Sequence, residues 1–285
     1  MSSGESHRGK NQSDSITEAI LRILREGSVA VVATLIEAAN PATSVGAKLL
    51  ISNLGTTGKT TGSLGDEEID RAVVEQAKLL NSRIDTLVVE VKEFAPALTQ
   101  WSDAKILFER IQAEPRLVIC GAGHVGASLA KFASSMGYRT TLIDDRDEFV
   151  TRQNFSEKNI ALVAAEDWSQ AVKTAVGSGR GVSIAIVTRG HSEDEQCLRA
   201  VIGIDVDYIG LIGSKRRTNI VLQRLSDDGF DAARLERVHA PVGLDIGAVT
   251  PEEVALAIMA EVVAVRRGGK GGPLSAWRRE RNPEG

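Results

Sequence analysis

The residues best suited to chemistry are three glycines in the pattern Gly-x-Gly-x-x-Gly, placed directly after the apolar run 117–120. Gly121 allows a tight turn, Gly123 lets a pyrophosphate approach the backbone, and Gly126 lets a helix pack closely on a strand. The helix that such a turn opens presents unpaired N–H groups and the positive end of its dipole to an anion. The pattern therefore predicts a site for the phosphate groups of a nucleotide-type ligand.

An acidic residue supports this prediction from the next strand-like segment. The apolar run 140–143 ends in Asp144, at the position where dinucleotide-binding folds hold a ribose hydroxyl. The alternative is a βαβ unit whose glycines serve only packing, in which case Asp144 caps a helix or a turn.

Two polar loops follow later strand-like runs, so a parallel sheet brings them to the same edge as the glycine turn. The first loop spans 188–194. The second spans 213–217 and supplies four candidate binding residues, Gly213, Ser214, Lys215 and Arg216. It sets three cations beside a helix N-terminus, which is unfavourable for the helix dipole. A bound anion or a buried acid would explain these charges, and a solvated basic turn is the alternative.

Three further residues are candidates for ligand contact. His124 lies inside the glycine turn, His191 lies in the first polar loop, and Asp245 lies in the glycine-containing loop 239–247. Each either faces the ligand or forms a structural hydrogen bond. We predict no catalytic residue, because the sheet-edge loops contain no recognisable catalytic pair. We also predict no metal site, because no Cys-x-x-Cys or His-x-x-x-His spacing is present.

The elements that must position these residues alternate regularly in the second half of the chain. Strand-like runs lie at 117–120, 140–143, 160–163, 182–188 and 208–212, with helical stretches between them. Such alternation predicts a parallel, doubly wound sheet with right-handed crossovers. The predicted fold class is α/β, a C-terminal Rossmann-like doubly wound parallel sheet preceded by a smaller α+β domain.

A last helix has a clear beginning and end. Thr250 is suited to be its N-cap, Pro251 stands at the first helical position, and Glu253 completes a capping box. The helix is expected to end near Arg267, before Gly268.

Five segments follow from these patterns. Residues 1–14 are predicted to be disordered, 15–95 to form the α+β domain, 96–115 to be a connector, 116–268 to form the Rossmann-like domain, and 269–285 to be a basic tail. Pro115 marks the boundary between the two halves.

The composition is that of a globular protein and excludes several classes of function. The 285 residues are 42% hydrophobic and 25% charged, and the formal net charge of −4 argues against nucleic-acid binding through a basic surface. No run reaches membrane-spanning length and no signal peptide is evident, so we expect a cytoplasmic protein without a membrane span. The two cysteines, Cys120 and Cys197, do not make a disulfide framework.

Several segments resemble the XdhC/CoxI family. The similarity lies in 117–145, in 208–217 and, most specifically, in 239–253, which reads His-Ala-Pro-Val-Gly-Leu-Asp-Ile-Gly-Ala followed by Thr-Pro-Glu-Glu. The resemblance implies a maturation factor for molybdenum hydroxylases of the xanthine dehydrogenase type. Such a factor binds molybdenum cofactor, as molybdopterin or its cytosine dinucleotide, supports its sulfuration and delivers it to the apo-enzyme. The expected partners are that hydroxylase apo-enzyme, a cysteine desulfurase and a second copy of the chain.

The sequence departs from this family at one functional position. Many members carry a cysteine shortly after the glycine-serine pair of the N-terminal domain, but 62–68 contains none. A thiolate role there is excluded for this chain. The residues alone also leave two alternatives open, an NAD(P)-dependent oxidoreductase and an NAD(H) sensor. Against the oxidoreductase, we find no recognisable catalytic Tyr-Lys pair, and the chain has only two tyrosines.

Overall fold

The computed structural model describes residues 5–38, 45–54, 58–80 and 85–275, with 5–14 described only in their backbone. The chain divides into two compact units, Met1–Ala113 and Glu114–Gly285. An antiparallel sheet builds the first unit and a parallel sheet builds the second.

The described part of the first unit contains five strands in the spatial order β3-β2-β1-β5-β4. They are β1 (Val29–Glu37), β2 (Lys48–Ser52), β3 (Lys59–Ser63), β4 (Thr86–Glu90) and β5 (Lys105–Gln112). Helices α1 (Glu5–Arg25) and α2 (Glu67–Leu79) cover opposite faces, and α3 (Val91–Phe94) is a single turn after β4. The continuous apolar run of β1 is explained by this arrangement, since Ala30 and Val32 pack toward α1 while Val31 and Ala33 pack toward α2.

Two predictions for this unit are wrong. The segment 96–115 is not a connector, because β5 within it pairs with both β1 and β4. The sequence of β5 alternates between buried residues, such as Ile106 and Phe108, and more exposed ones. This alternation is typical of a strand, but the irregular residues before it concealed the pattern. The predicted disorder of 1–14 does not hold for 5–14, because α1 begins at Glu5, and this stretch contains no proline to end the helix. Residues 1–4 lie outside the described residues. Strand β3 was not predicted.

The second unit confirms the predicted Rossmann-like sheet. Its described strands are all parallel and lie in the order β10-β9-β6-β7-β8. They are β6 (Arg116–Cys120), β7 (Arg139–Asp144), β8 (Ile160–Ala164), β9 (Val182–Ile186) and β10 (Tyr208–Leu211). The strand order reverses between β6 and β9, and ligands of doubly wound sheets bind at this switch point.

Helices cover both faces of the parallel sheet. They are α4 (His124–Ser135), α5 (Trp168–Val176), α6 (His191–Val201), α7 (Lys215–Asp227), α8 (Ala232–Glu236) and α9 (Pro251–Arg267). Apolar residues of α4 and α9 pack on one face, and those of α5, α6 and α7 pack on the other. The short helix α8 was not predicted.

The boundaries of α9 confirm the sequence prediction. Thr250 accepts a hydrogen bond from the Glu253 N–H, the Glu253 carboxylate accepts one from the Thr250 N–H, and Pro251 is the first helical residue. Gly268 ends the helix in the left-handed conformation. Of the predicted tail, residues 276–285 lie outside the described part of the chain. Among the helices that the structure describes, none is both long and apolar enough to span a bilayer.

Candidate nucleotide-binding site

Two of the three glycines are required by packing at the end of β6. Gly121 has φ +113°, and a Cβ there would lie 2.5 Å from the Val187 carbonyl oxygen. A Cβ on Gly126 would lie 1.8 Å from the Gly121 carbonyl oxygen, so only glycine lets α4 start this close to the turn. The predicted geometric roles of these two glycines agree with the structure.

Gly123 differs from both, because the space above it is open. It is the N-cap of α4, its φ is −64°, and a Cβ there would meet nothing within 4 Å. The first helical hydrogen bond runs from the Ala127 N–H to the Gly123 carbonyl, so the N–H groups of 124–126 have no acceptor within the helix. The open surface and these donors together fit a phosphate group. His124, the first helical residue, is exposed beside them.

Asp144 is buried behind the glycine turn, with 1% of its surface exposed. Its Oδ2 accepts a hydrogen bond of 2.6 Å from the Ala122 N–H, and the Arg146 guanidinium binds both carboxylate oxygens at 2.8 and 3.0 Å. Burial alone would raise the pKa of Asp144, but the hydrogen bonds from Arg146 and Ala122 outweigh burial and hold the pKa below its ordinary value. The carboxylate therefore fixes the glycine turn to the end of β7. Ribose binding by Asp144 stays a prediction.

Sequence reasoning missed the residues that surround Asp144. The Arg146 guanidinium stacks 3.8 Å from the centroid of the Phe149 ring. Asp145 is paired with Arg189 at 2.9 Å and so joins the ends of β7 and β9. The sequence did contain a signal for the pairing of Arg146 with Asp144, since an arginine two residues after a buried acid can fold back on it.

The first turn of α6, which follows β9, contains a buried acid that explains one of the three clustered cations. Asp194 is fully buried, accepts a hydrogen bond of 2.5 Å from the Thr188 hydroxyl, and forms an ion pair with Arg217. Burial raises the pKa of Asp194, although Thr188 and Arg217 oppose this shift. Of the two explanations offered for the basic cluster, the buried acid accounts for Arg217. His191 begins α6 nearby and is exposed.

The other two cations lie at the start of α7. Gly213 has φ +142°, and the Ser214 side chain caps the helix by accepting a hydrogen bond from the Arg217 N–H at 3.2 Å. Lys215 and Arg216 are exposed, and their side chains have no hydrogen bond or ion pair with any described residue. They remain available to an anion at this edge of the sheet.

The loop that holds Asp245 continues the same sheet edge. His239 pairs with β10 through hydrogen bonds to Ile209 and Leu211, and the Val242 N–H donates to the Leu211 carbonyl. The chain thus runs alongside β10 toward its carboxyl end before reaching Asp245, which is exposed. Sequence reasoning missed the residue that anchors this loop, Glu261 in α9, whose carboxylate accepts the Gly243 N–H at 2.9 Å. A single acid within the apolar run 254–265 was the available signal.

The structure brings most of the predicted residues to one edge. The glycine turn, His191 and the Gly213–Arg216 segment all follow carboxyl ends of the adjacent strands β6, β9 and β10. This strand order and glycine turn define the second unit as a Rossmann domain, a class compatible with nucleotide binding.

The chain belongs to the XdhC family, as the sequence resemblance predicted. Residues 117–262 match the family model of the XdhC Rossmann domain. The chain is 30% identical over 220 residues to the uncharacterized protein YqeB of Escherichia coli K12, covering 75% of this chain and 40% of YqeB. It is 26% identical over 162 residues to a probable xanthine dehydrogenase subunit of Bacillus subtilis 168, covering 57% of this chain and 46% of that protein. It thus spans less than half the length of either curated relative.

A solved structure shows the same fold. The crystal structure of a xanthine dehydrogenase from Bacillus halodurans superimposes with a TM-score of 0.61 at 19% identity. The match covers 94% of this chain and 68% of that one. At this identity the likeness shows the fold alone.

Proposed function

We propose that this protein binds molybdenum cofactor at the glycine turn, supports its sulfuration and passes it to a hydroxylase of the xanthine dehydrogenase type. The observation that carries the proposal is the open surface at Gly123, at the switch point of an XdhC-family Rossmann domain. The association with xanthine dehydrogenase rests on the name of the Bacillus subtilis relative.

The described residues fit the phosphate part of this cargo. The N–H groups of 124–126 would hold one phosphate, and the unpaired side chains of Lys215 and Arg216 would attract further negative charge. A cytosine dinucleotide form carries a pyrophosphate, which suits the close approach that Gly123 permits. Once delivered, the cofactor supplies the redox metal centre of the hydroxylase.

The position of the cysteines supports an indirect part for this chain in the proposed sulfuration. Cys120 and Cys197, the two cysteines of the sequence, are both fully buried. The neighbouring Cys120 thiol and burial raise the pKa of Cys197, which disfavours the reactive thiolate. We therefore assign sulfur transfer to a partner, such as a cysteine desulfurase, while this chain presents the cofactor. A homodimer and a cytoplasmic location stay predictions.

A nicotinamide nucleotide is the second candidate ligand. The doubly wound strand order and the glycine pattern favour it, because both also occur in NAD(P)-binding domains. The acid expected to hold the ribose, Asp144, is however bound on both oxygens by Arg146. This pairing favours a ligand that does not depend on a free carboxylate at β7.

Calorimetric titration of the purified chain separates the two candidates. We expect saturable binding of molybdenum cofactor, under anaerobic conditions, at a stoichiometry of one per chain, and much weaker binding of NADH and NADPH. Tight binding of NADH or NADPH with no heat from molybdenum cofactor would refute the proposal and favour the oxidoreductase or sensor.

A further inference from the structure

A cavity of about 320 Å³ lies at the opposite end of β10 from the glycine turn. Its wall includes Ile202, Ile204 and 206–209 at the amino end of β10, together with Arg234 of α8 and 236–239. Since the strands are parallel and the glycine turn follows a carboxyl end, this cavity lies outside the site described above. Its volume is within the range of small-molecule sites.

A buried carboxylate beside the cavity binds three donors from different parts of the chain. Glu261 Oε2 accepts the Tyr208 hydroxyl at 2.6 Å and the Gly243 N–H at 2.9 Å, and its Oε1 lies 3.2 Å from His239 Nδ1. The Glu261 side chain is 14% exposed. Burial raises its pKa, but the hydrogen bonds from His239 and Tyr208 outweigh burial and lower it, so the carboxylate is ionised.

This carboxylate sets the tautomer of His239. An ionised carboxylate can only accept, so Nδ1 carries a proton, and in the neutral form of the ring Nε2 keeps its lone pair. The ring is also held by the Tyr208 ring, whose centroid is 4.6 Å away. The His239 side chain is 34% exposed, and its Nε2 has no partner among the described residues. His239 thus offers an oriented acceptor at the cavity wall.

The remaining wall indicates what the cavity would bind. Arg237 is exposed and its side chain has no described partner, whereas the Arg234 side chain donates to the Ile202 carbonyl at 3.0 Å. Asp207 accepts the Gly181 N–H at 3.3 Å, and Glu236 balances part of the positive charge. Apolar side chains complete the wall, namely Ile202, Ile204, Val206 and Val265.

From these contacts we infer that the cavity is a second binding site, for a small hydroxylated carboxylic acid with an apolar body. The carboxylate pairs with Arg237, the hydroxyl donates to His239 Nε2, and the apolar body lies against the aliphatic wall. Glu261 is a positioning residue in this site, because it orients His239 without facing the ligand.

The test uses the full chain with ¹⁵N-labelled histidines and 4-hydroxybenzoate as the probe. The His239→Gln variant assigns the His239 signal among the four histidines of the sequence. We expect 4-hydroxybenzoate to shift the His239 Nε2 signal saturably and benzoate, which lacks the hydroxyl, to bind several-fold more weakly. Arg237→Gln should weaken 4-hydroxybenzoate about tenfold or more, because a charge-assisted hydrogen bond is lost. Arg71→Gln, an exposed arginine of the first unit, is the matched control and should leave binding unchanged.

Three results would overturn the inference. The first is no shift at His239 with 4-hydroxybenzoate, and the second is equal affinity in Arg237→Gln. The third is an equal response to inorganic phosphate, which would show a general anion site without a role for the apolar wall. Because Arg237 lies on the surface, its replacement tests ligand contact without removing a buried group.

Discussion

Replacing Gly123 by valine separates ligand binding from folding more cleanly than any other change at the glycine turn. Gly123 has a negative φ of −64°, and a Cβ there meets no atom within 4 Å, so valine fits without backbone strain. Because Gly123 is the N-cap of α4, where valine is less favourable than glycine, we expect the free energy of unfolding to fall by about 1 kcal/mol, which leaves the domain folded. The loss of glycine flexibility in the unfolded chain offsets part of this cost.

The effect on binding is expected to be large. The valine side chain fills the space through which a phosphate reaches the N–H groups of 124–126. Loss of two charge-assisted hydrogen bonds, at about 1.5–3 kcal/mol each, weakens binding by about 3 kcal/mol or more, which exceeds a hundredfold.

Calorimetric titration with molybdenum cofactor and thermal unfolding measure the two effects in the same samples. Gly203→Val is the matched control, since a Cβ on Gly203 would also have no atom within 4 Å, and Gly203 lies away from the turn. By contrast, Gly126→Ala should unfold the domain, because its Cβ would lie 1.8 Å from a backbone oxygen. Unchanged affinity in a folded Gly123→Val protein would refute the phosphate site.

Three further predictions follow from the polar contacts. Replacing Lys215 and Arg216 together by glutamine should weaken cofactor binding at least tenfold and reduce its dependence on salt, as measured by titration at several ionic strengths. Unchanged binding would mean that these side chains belong to a solvated basic turn. Asp144→Asn should lower the free energy of unfolding at pH 7 by about 1.5–3 kcal/mol in urea titrations. Because the folded pKa of Asp144 lies below its ordinary 3.8, its contribution is complete above that pH and is lost as the pH falls further, so the variant should lose less stability on acidification than the wild type. Arg217→Met should destabilise the domain by about 3 kcal/mol, because it leaves Asp194 buried without its cation, and wild-type stability in this variant would contradict the assigned pairing.

Local sequence patterns predicted the parallel sheet and the ends of α9. The glycine turn is encoded by residues within one βαβ unit, and the capping box of α9 spans four adjacent residues. Both therefore leave a signal that can be recognised without knowing the rest of the fold. The central strands β6 and β9 are buried on both faces and so appear as continuous apolar runs.

The missed features depend on residues far apart in the chain. Strand β5 lies among irregular residues, and its place in the sheet becomes evident only from its pairing with β1 and β4. Asp194 meets Arg217 across 23 positions, and Glu261 meets the Tyr208 hydroxyl across 53. Nothing in the local sequence indicates which donors reach a buried acid. The partners of these two acids could therefore be identified only from the structure.

The central claim is that the chain delivers molybdenum cofactor through the glycine turn. The most direct measurement is the molybdenum content and activity of the partner hydroxylase, purified from cells in which the wild-type gene is replaced by Gly123→Val or by Gly203→Val. We predict normal amounts of hydroxylase polypeptide in both strains, with molybdenum content and activity low in Gly123→Val and full in Gly203→Val. Full molybdenum content and activity in the Gly123→Val strain would contradict the account.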